Sequence, residues 1–306
     1  MRNKILRRFL MTLIVLIGVS IIAFALVRLA PGDLARTLLP DTATDEQIEA
    51  LREKMGMNES YLVQYFKYMA GVLKGDLGYS YRYKMDCNIL ILYRLKNTAI
   101  LAAVAVVFAL IIAIPLGMIG GIKKGSLADT GAVCFALLGQ AMSPVWLCLL
   151  LILIFAVKLH WLPSQGMGDF KHIIMPAFCL GFSFASLVTR MLRSQMIEVL
   201  QEDYITATRA RGISRFKVYT KYAFKNSILP VLTVTGNQLG KILAGSMVIE
   251  SIFGWPGLGE LTITAINSRD FQLVQSILLV CAVIMVLCNL LVDILYTLVD
   301  KRISFN

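Results

Sequence analysis

"AILAAVAVVFALIIAIPLGMIGG", residues 99–121, runs for 23 positions without one charged side chain. As a helix rising 1.5 Å per residue it reaches about 35 Å, enough to cross a hydrocarbon core of roughly 30 Å. Runs of this kind recur, and six candidate spans stand at about 9–29, 99–121, 132–157, 173–190, 229–249 and 276–298. None has the alternation and turn spacing of barrel strands, so backbone groups in lipid must be paired within helices. Composition agrees, with 306 residues of which 58% are hydrophobic and a mean hydropathy of +0.72. The expected architecture is all-α and polytopic, with six transmembrane helices and 1–306 forming a single transmembrane domain.

A net charge of +11 would suggest nucleic acid in a soluble chain. In a membrane protein the location of charge matters more, because short loops rich in Lys and Arg stay cytoplasmic. Arg2, Lys4, Arg7 and Arg8 precede the first span, and Lys123 and Lys124 join the second to the third. Between spans four and five stand Arg190, Arg193, Arg209, Arg211, Arg215, Lys217, Lys221 and Lys225; Lys301 and Arg302 follow span six. The opposite loops are poorer: 158–171 holds only Lys158 and Lys171, and 251–275 only Arg269. Segment 31–98 carries nine basic and nine acidic residues, but long loops cross largely regardless of charge. Both termini are therefore expected in the cytoplasm. Ala23 to Ala25, "AFA", imitates a signal cleavage site. The apolar run before it is too long for a signal peptide and more spans follow, so an uncleaved anchor is expected.

Pro31 and Gly32 in "RLAPGD" stop the first helix. Thr44 then caps a helix opening with Asp45 and Glu46 and ending at Gly56. A second short amphipathic helix, about 59–73, would place Tyr61, Gln64, Tyr65 and Tyr68 on one face. Segment 31–98 thus reads as an ordered extracytoplasmic helical cap that packs over the bundle, with docking of a soluble partner as the weaker reading. Cys134, Cys148, Cys179, Cys281 and Cys288 fall within spans and Cys87 outside them. No CxxC or Cys/His metal spacing exists, so these are packed thiols.

Pro115 and Pro144 should kink spans two and three. Span five is the least apolar, with Gly236, Asn237, Gln238, Gly240, Lys241, Gly245 and Glu250 in or beside it. Gly236 and Gly240 form a GxxxG, the mark of close helix packing. A lysine deep in a span is costly unless it faces a wet cavity or a partner. Gln140, Ser143, Asn237, Gln238, Lys241 and Glu250 are therefore candidates to line a translocation path. Snorkelling of Lys241, or pairing with an acid on a neighbouring helix, is the alternative.

One polar stretch interrupts all this: "DYITATRARGISRFKVYTKYAFKNSILP", Asp203 to Pro230. Leu200, Tyr204, Ala207, Thr208 and Arg211 share a helical face that ends at Gly212, a natural C′ residue. Ser214 can cap a second helix, with Phe216, Tyr219, Ala223 and Phe224 as its apolar stripe and Lys217, Lys221 and Lys225 on another side. A basic topology anchor or an interfacial amphipathic helix would need neither the tight glycine turn nor the small residues Thr206, Ala207, Thr208 and Ala210 before it. Small side chains before a sharp turn point to a close-fitting contact with another protein.

This stretch resembles the cytoplasmic loop motif of binding-protein-dependent ABC importer permeases, whose pattern is E-A-A, three residues and glycine, then a hydrophobic pair and proline. It is most similar to the dipeptide, oligopeptide and nickel branch, through Thr206-Ala207-Thr208-Arg209-Ala210-Arg211-Gly212 and Lys221 to Leu232. The resemblance extends to "RRFL", "RLAPGD", "GDLGYS" (75–80), "HWLP" (160–163), "GSMVIESIFGWPGLG" (245–259), "INSRDFQLVQ" (266–275) and "NLLVDILYTLVDKRI" (289–303). Thr206 replaces the motif's glutamate, and Tyr222 stands where the branch usually has histidine.

The resemblance implies a type I importer permease fold in a bacterial or archaeal cytoplasmic membrane. Segment 191–228 would be the coupling-helix loop, with Tyr204, Thr206, Ala207, Thr208, Ala210, Arg211, Gly212 and Ser214 contacting a separate ATPase. It implies a heterodimer with a homologous second permease, two ATP-binding subunits and an extracytoplasmic solute-binding protein docking on 31–98 and 251–275. The apolar segment Ser251 to Gly259, broken by glycine and proline, could dip back into the membrane. The chain has no G-x-x-x-x-G-K-[ST] loop; ATP and Mg belong to the partner ATPases, and this chain is expected to bind no cofactor, metal or nucleic acid.

Two other classes compete. Gly181-Phe182-Ser183 imitates an intramembrane serine protease, which needs a histidine base within reach. Only His160 and His172 exist, both before Ser183 and near the outer surface, and each is expected to be structural. A free-standing secondary transporter would carry an inverted repeat, which is not evident. Peptides are the expected substrate, with nickel or a metal chelate as the alternative.

Overall fold

The computed structural model describes residues 11, 14–25, 36, 39, 43–54, 56, 58–80, 82–245 and 247–299. The basic residues at 2–8 and 301–302 and the Pro31–Gly32 stop lie outside the described residues. Five of the six apolar runs are helical over their described parts, and the run at 132–157 is helical except at Met142 and Ser143. The helices are α1 (Ile14–Ala25), α2 (Asp45–Lys54), α3 (Tyr61–Leu73), α4 (Cys87–Ile122), α5 (Leu127–Ala141), α6 (Pro144–Leu151), α7 (Phe170–Val199), α8 (Asp203–Ala210), α9 (Arg215–Lys217), α10 (Phe224–Gly245), α11 (Met247–Ile252), α12 (Leu258–Asn267) and α13 (Phe271–Val299). Ile152–Lys158 after α6 and Val218–Ala223 after α9 are π-helical.

By length and apolarity, α4, α7 and the Phe271–Leu290 part of α13 are long enough to cross a membrane, and α5 with α6 forms a fourth candidate. That fourth candidate corrects the expectation of a kinked third span, because the two helices are bent by 105°. Met142 leaves the helix in an extended conformation and Ser143 takes the N-cap position. Pro144 occupies the first turn of α6, where its missing N–H breaks no hydrogen bond. Pro115, by contrast, sits inside unbroken α4.

The chain forms two compact units, one of Met1–Asn97 with Pro256–Val286 and one of Thr98–Trp255 with Leu287–Asn306. In the second, α7 is the hub: 67% of its span is buried, against 28% for α4 and α13. It packs on α5, α6, α10 and α11, and glycines bring it close to α4 and α5. A Cβ at Gly181 would meet the Ala105 carbonyl oxygen at 2.6 Å, and one at Gly139 would overlap the Ser186 side chain. One core joins Ala109 and Ala113 of α4 to Val188, Leu192 and Met196 of α7, and continues into Ile205, Val218 and Ala223. Gly236 and Gly240 are both buried in α10, as close packing requires.

At its polar end this unit is pinned by an ion pair between Asp129 and Arg193. The Arg193 Nε and Nη2 both donate to the carboxylate, the second at 2.9 Å. The Gly125 N–H donates to Asp129 Oδ2 at 2.9 Å, and Ser126 caps α5 by accepting from the Asp129 N–H. The turn after α4 is thereby tied to α7.

In the first unit, α2 and α3 fall close to their predicted bounds. Segment 251–275, expected as a loop, is largely α12 and the start of α13. Cys87, Leu90 and Ile91 of α4 share a core with Leu258, Leu261 and Ala265 of α12 and Leu273 and Ile277 of α13. A short hairpin pairs Tyr79 with Asp86 and Ser80 with Met85. Ser80 Oγ donates to Asp270 Oδ2 at 2.5 Å, and Arg94 pairs with Glu260 at 2.9 Å. On α3 the packed residues are Tyr65, Tyr68 and Val72, whereas Tyr61, expected with them, is exposed.

Candidate functional site: a helix–glycine–helix elbow

The polar interruption forms an elbow. Helix α8 begins after Glu202 in extended conformation and carries Asp203 in its first turn, where a carboxylate favours the helix N-terminus. It ends at Arg211, and Gly212 follows with φ +76°, a left-handed conformation that costs glycine no Cβ clash. Ser214 is the N-cap of α9 without a side-chain capping bond. From Arg215 the chain stays helical through the π segment into α10.

The buried side of α8 is Ile205 with Thr208, three residues apart, and both are shielded from solvent. Ala207, grouped with Thr208 by sequence, lies on the opposite side and is exposed. Exposed with it are Thr206, Ala210 and Arg211, so the outward face carries three small side chains beside an arginine. Thr208 Oγ1 donates to the Tyr204 carbonyl at 2.6 Å, which satisfies a hydroxyl on the inner side.

In the second arm Tyr219, Ala223 and Phe224 of the expected apolar stripe pack on the core, and Phe216 does not. Phe216 is exposed, while Val218 and Ala223 are wholly buried. These two are five residues apart, the spacing of the i→i+5 hydrogen bonds of a π-helix, whose wider turn a 3.6-residue pattern does not describe. Lys217, Lys221 and Lys225 stay exposed as expected. Asn226 Nδ2 donates to Tyr204 Oη at 2.7 Å, bracing one arm on the other. Sequence reasoning named Tyr204 but missed Asn226, because their proximity exists only once the elbow is folded.

The expected path residues scatter. In the same unit a cavity of about 360 Å³ is walled by Pro144, Ser183, Phe184, Gln238, Ile242 and Val248. Gln238 thus faces open volume. Ser143 adjoins it in sequence and is exposed at the bend. Gln140 is exposed, with Nε2 donating to the Ala136 carbonyl at 3.2 Å. Glu250 is wholly buried and accepts from Thr98 Oγ1 at 2.8 Å, away from open volume. The side chains of Asn237 and Lys241 lie outside the described residues. Ser183 donates its hydroxyl to the Gly139 carbonyl at 3.0 Å, an arrangement of structure and not of nucleophile activation.

An α-helical chain with several helices of membrane-spanning length, and an elbow rooted in the core of one unit, is a multi-pass membrane protein by class. The chain matches the family described as "Binding-protein-dependent transport system inner membrane component" over residues 113–305, and its N-terminal companion family over 1–102. It is 39% identical to the dipeptide transport system permease protein DppB of Alkalihalophilus pseudofirmus, across 98% of each chain. Identity is 35% to the oligopeptide permease AppB of Bacillus subtilis and 33% to the glutathione permease GsiC of Salmonella paratyphi A, with 100% of both chains covered in each case. A chain of the MetNI methionine ABC transporter in an inward-facing form superposes with a TM-score of 0.58 at 16% identity, covering 69% of this chain and 96% of that one, which speaks for the fold alone.

The chain belongs to the binding-protein-dependent transport system inner membrane component family. It is a permease subunit of an ABC importer, a multi-pass membrane protein and a non-catalytic component, and membership implies an ATPase and a substrate-binding protein as partners.

Proposed function

We propose that this permease forms half of a translocation path for peptides, paired with a homologous second permease, two ATP-binding subunits and a solute-binding protein outside. In this reading six spans leave both termini on one side, which the Lys- and Arg-rich short loops favour as the cytoplasm, and the elbow 200–225 is seated in a cleft of an ATPase. Closure of the two ATPases on ATP would push the elbow. Its core is continuous with α7, so the push would rock the bundle as a rigid body. No fuel site is needed on this chain, and ATP and Mg act on the partners.

The observation that carries this reading is the two-sided elbow: Ile205 and Thr208 anchor it inward while Thr206, Ala207 and Ala210 leave a smooth outer face. Large side chains there would hold a partner's cleft at a distance. Peptides are favoured over nickel or a metal chelate because the relatives named above are dipeptide, oligopeptide and glutathione permeases. The cavity beside Gln238 is the candidate stretch of path, with Gln140, Ser143, Asn237 and Lys241 as further members. Ala207→Cys, treated with a short bifunctional thiol reagent in intact cells, should capture an ATPase subunit carrying a cleft cysteine. Absence of that adduct in cells that still import peptide would remove the docking reading.

A further inference from the structure

Helix α3 has two apolar faces and only one of them is covered. Tyr65, Tyr68 and Val72 turn inward and are half-buried, whereas Leu62, Phe66 and Leu73 are exposed to 71%, 67% and 83%. At 100° per residue these three fall on one stripe about 110° round the helix from the inward face, and Val63 and Ala70 widen it on the side away from that face. The one charge on α3 lies at the edge of this stripe: Lys67 pairs with Glu59. In water this stripe would be a contiguous apolar surface with nothing to hide it.

The position of α3 along α1 tells what hides it. Tyr65 Oη donates to Ser20 Oγ at 2.7 Å, since Ser20 itself donates to the Ile17 carbonyl. The ring of Tyr65 meets Phe24 edge-on at 5.5 Å. The apolar run containing α1 extends to about residue 29 in the sequence. Phe24 and Ser20 thus lie about 8 Å and about 14 Å inside its far end, at 1.5 Å per residue. Phe24 falls within the about 5–10 Å to which interfacial amphipathic helices embed, and Ser20, deeper, is reached by the hydroxyl at the tip of the Tyr65 side chain. Ile14, Ile17, Ile21 and Ile22 of α1 are themselves exposed apolar side chains, so the stripe on α3 continues a lipid-facing surface.

We infer that α3 is an interfacial helix, its Leu62–Phe66–Leu73 stripe embedded in the acyl chains of the outer leaflet, and not a soluble cap element. It anchors the extracytoplasmic segment in the membrane surface, independently of what the importer carries. Glu59 and Lys67 stay at headgroup level, and the hairpin at 79–86 remains in water.

The test places a nitroxide at Leu62→Cys, Phe66→Cys or Leu73→Cys in a chain whose six native cysteines are replaced, within the assembled importer in lipid nanodiscs. A label at Arg82→Cys reports the aqueous hairpin. Embedding predicts strong relaxation by oxygen and loss of relaxation by a water-soluble nickel chelate at all three stripe positions, relative to the hairpin. Nickel relaxation equal to that at the hairpin overturns the inference. So does protection from both reagents, whether constant (a protein contact) or only with the binding protein added (a docking face). As a second readout, Phe66→Trp should add fluorescence that brominated lipid quenches beyond the parent with its three native tryptophans. Unquenched added emission counts against embedding.

Discussion

Gly212 sits exposed at φ +76°, and a Cβ built there would meet no atom within 4 Å. Its requirement is therefore one of backbone and not of space. An ordinary side chain pays roughly 1–2 kcal/mol for the left-handed region and a β-branched one more. Gly212→Val should relax the turn and swing α8 while leaving the bundle intact. The expected outcome in proteoliposomes is ATP hydrolysis that persists while peptide uptake falls. Ile205 and Ala207 divide the same helix by role. Ile205→Ala opens a cavity in a wholly buried site and should cost about 2–5 kcal/mol, read as a lowered thermal midpoint of the purified permease. Ala207→Trp adds bulk to an exposed position and should leave that midpoint unchanged while reducing co-purification of the ATPase.

Among the elements, α7 decides the bundle because its neighbours approach it through glycine. Gly181→Ala would place a methyl carbon 2.6 Å from the Ala105 carbonyl oxygen. Backbone cannot yield as a flexible side chain can, so the helices must part, at about 1–3 kcal/mol by analogy with overpacked cores. A lower melting temperature in detergent and a loss of monodisperse protein are expected. The α5–α6 break shows how sequence and structure diverge. Pro144 announced a disturbance, and its meaning depended on where the preceding helix stopped. Met142 leaves that helix extended and Ser143 starts the next, which turns a kink into a change of direction. The π segment at 218–223 is a second case. Its turn is wider than that of an α-helix, so a wheel drawn at 3.6 residues per turn points Phe216 inward and overlooks Val218.

For the whole molecule, the charge pattern leads to the proposed arrangement with both ends in the cytoplasm. Alkaline phosphatase fused after residue 84 should be active, and fusions after residues 125 and 306 should be inactive; the reverse pattern would invert the topology. The family was legible in the sequence, because spans are a matter of length and apolarity, and the elbow motif is a short run of residues neighbouring in the chain. Which residues face where was less legible. Thr208 and Ala207 are adjacent in sequence and opposite in space. Glu250 looked like a path residue from its charge, yet it is buried against Thr98 at 2.8 Å. The partnerships of Tyr204 with Asn226, Asp129 with Arg193 and Tyr65 with Ser20 join positions 22, 64 and 45 residues apart. The sequence by itself determined a helical membrane protein with a polar elbow, since apolar length and turn chemistry are local properties of the chain. Only the tertiary structure decided which face of each helix is buried, because burial depends on partners that the fold brings from far along the chain.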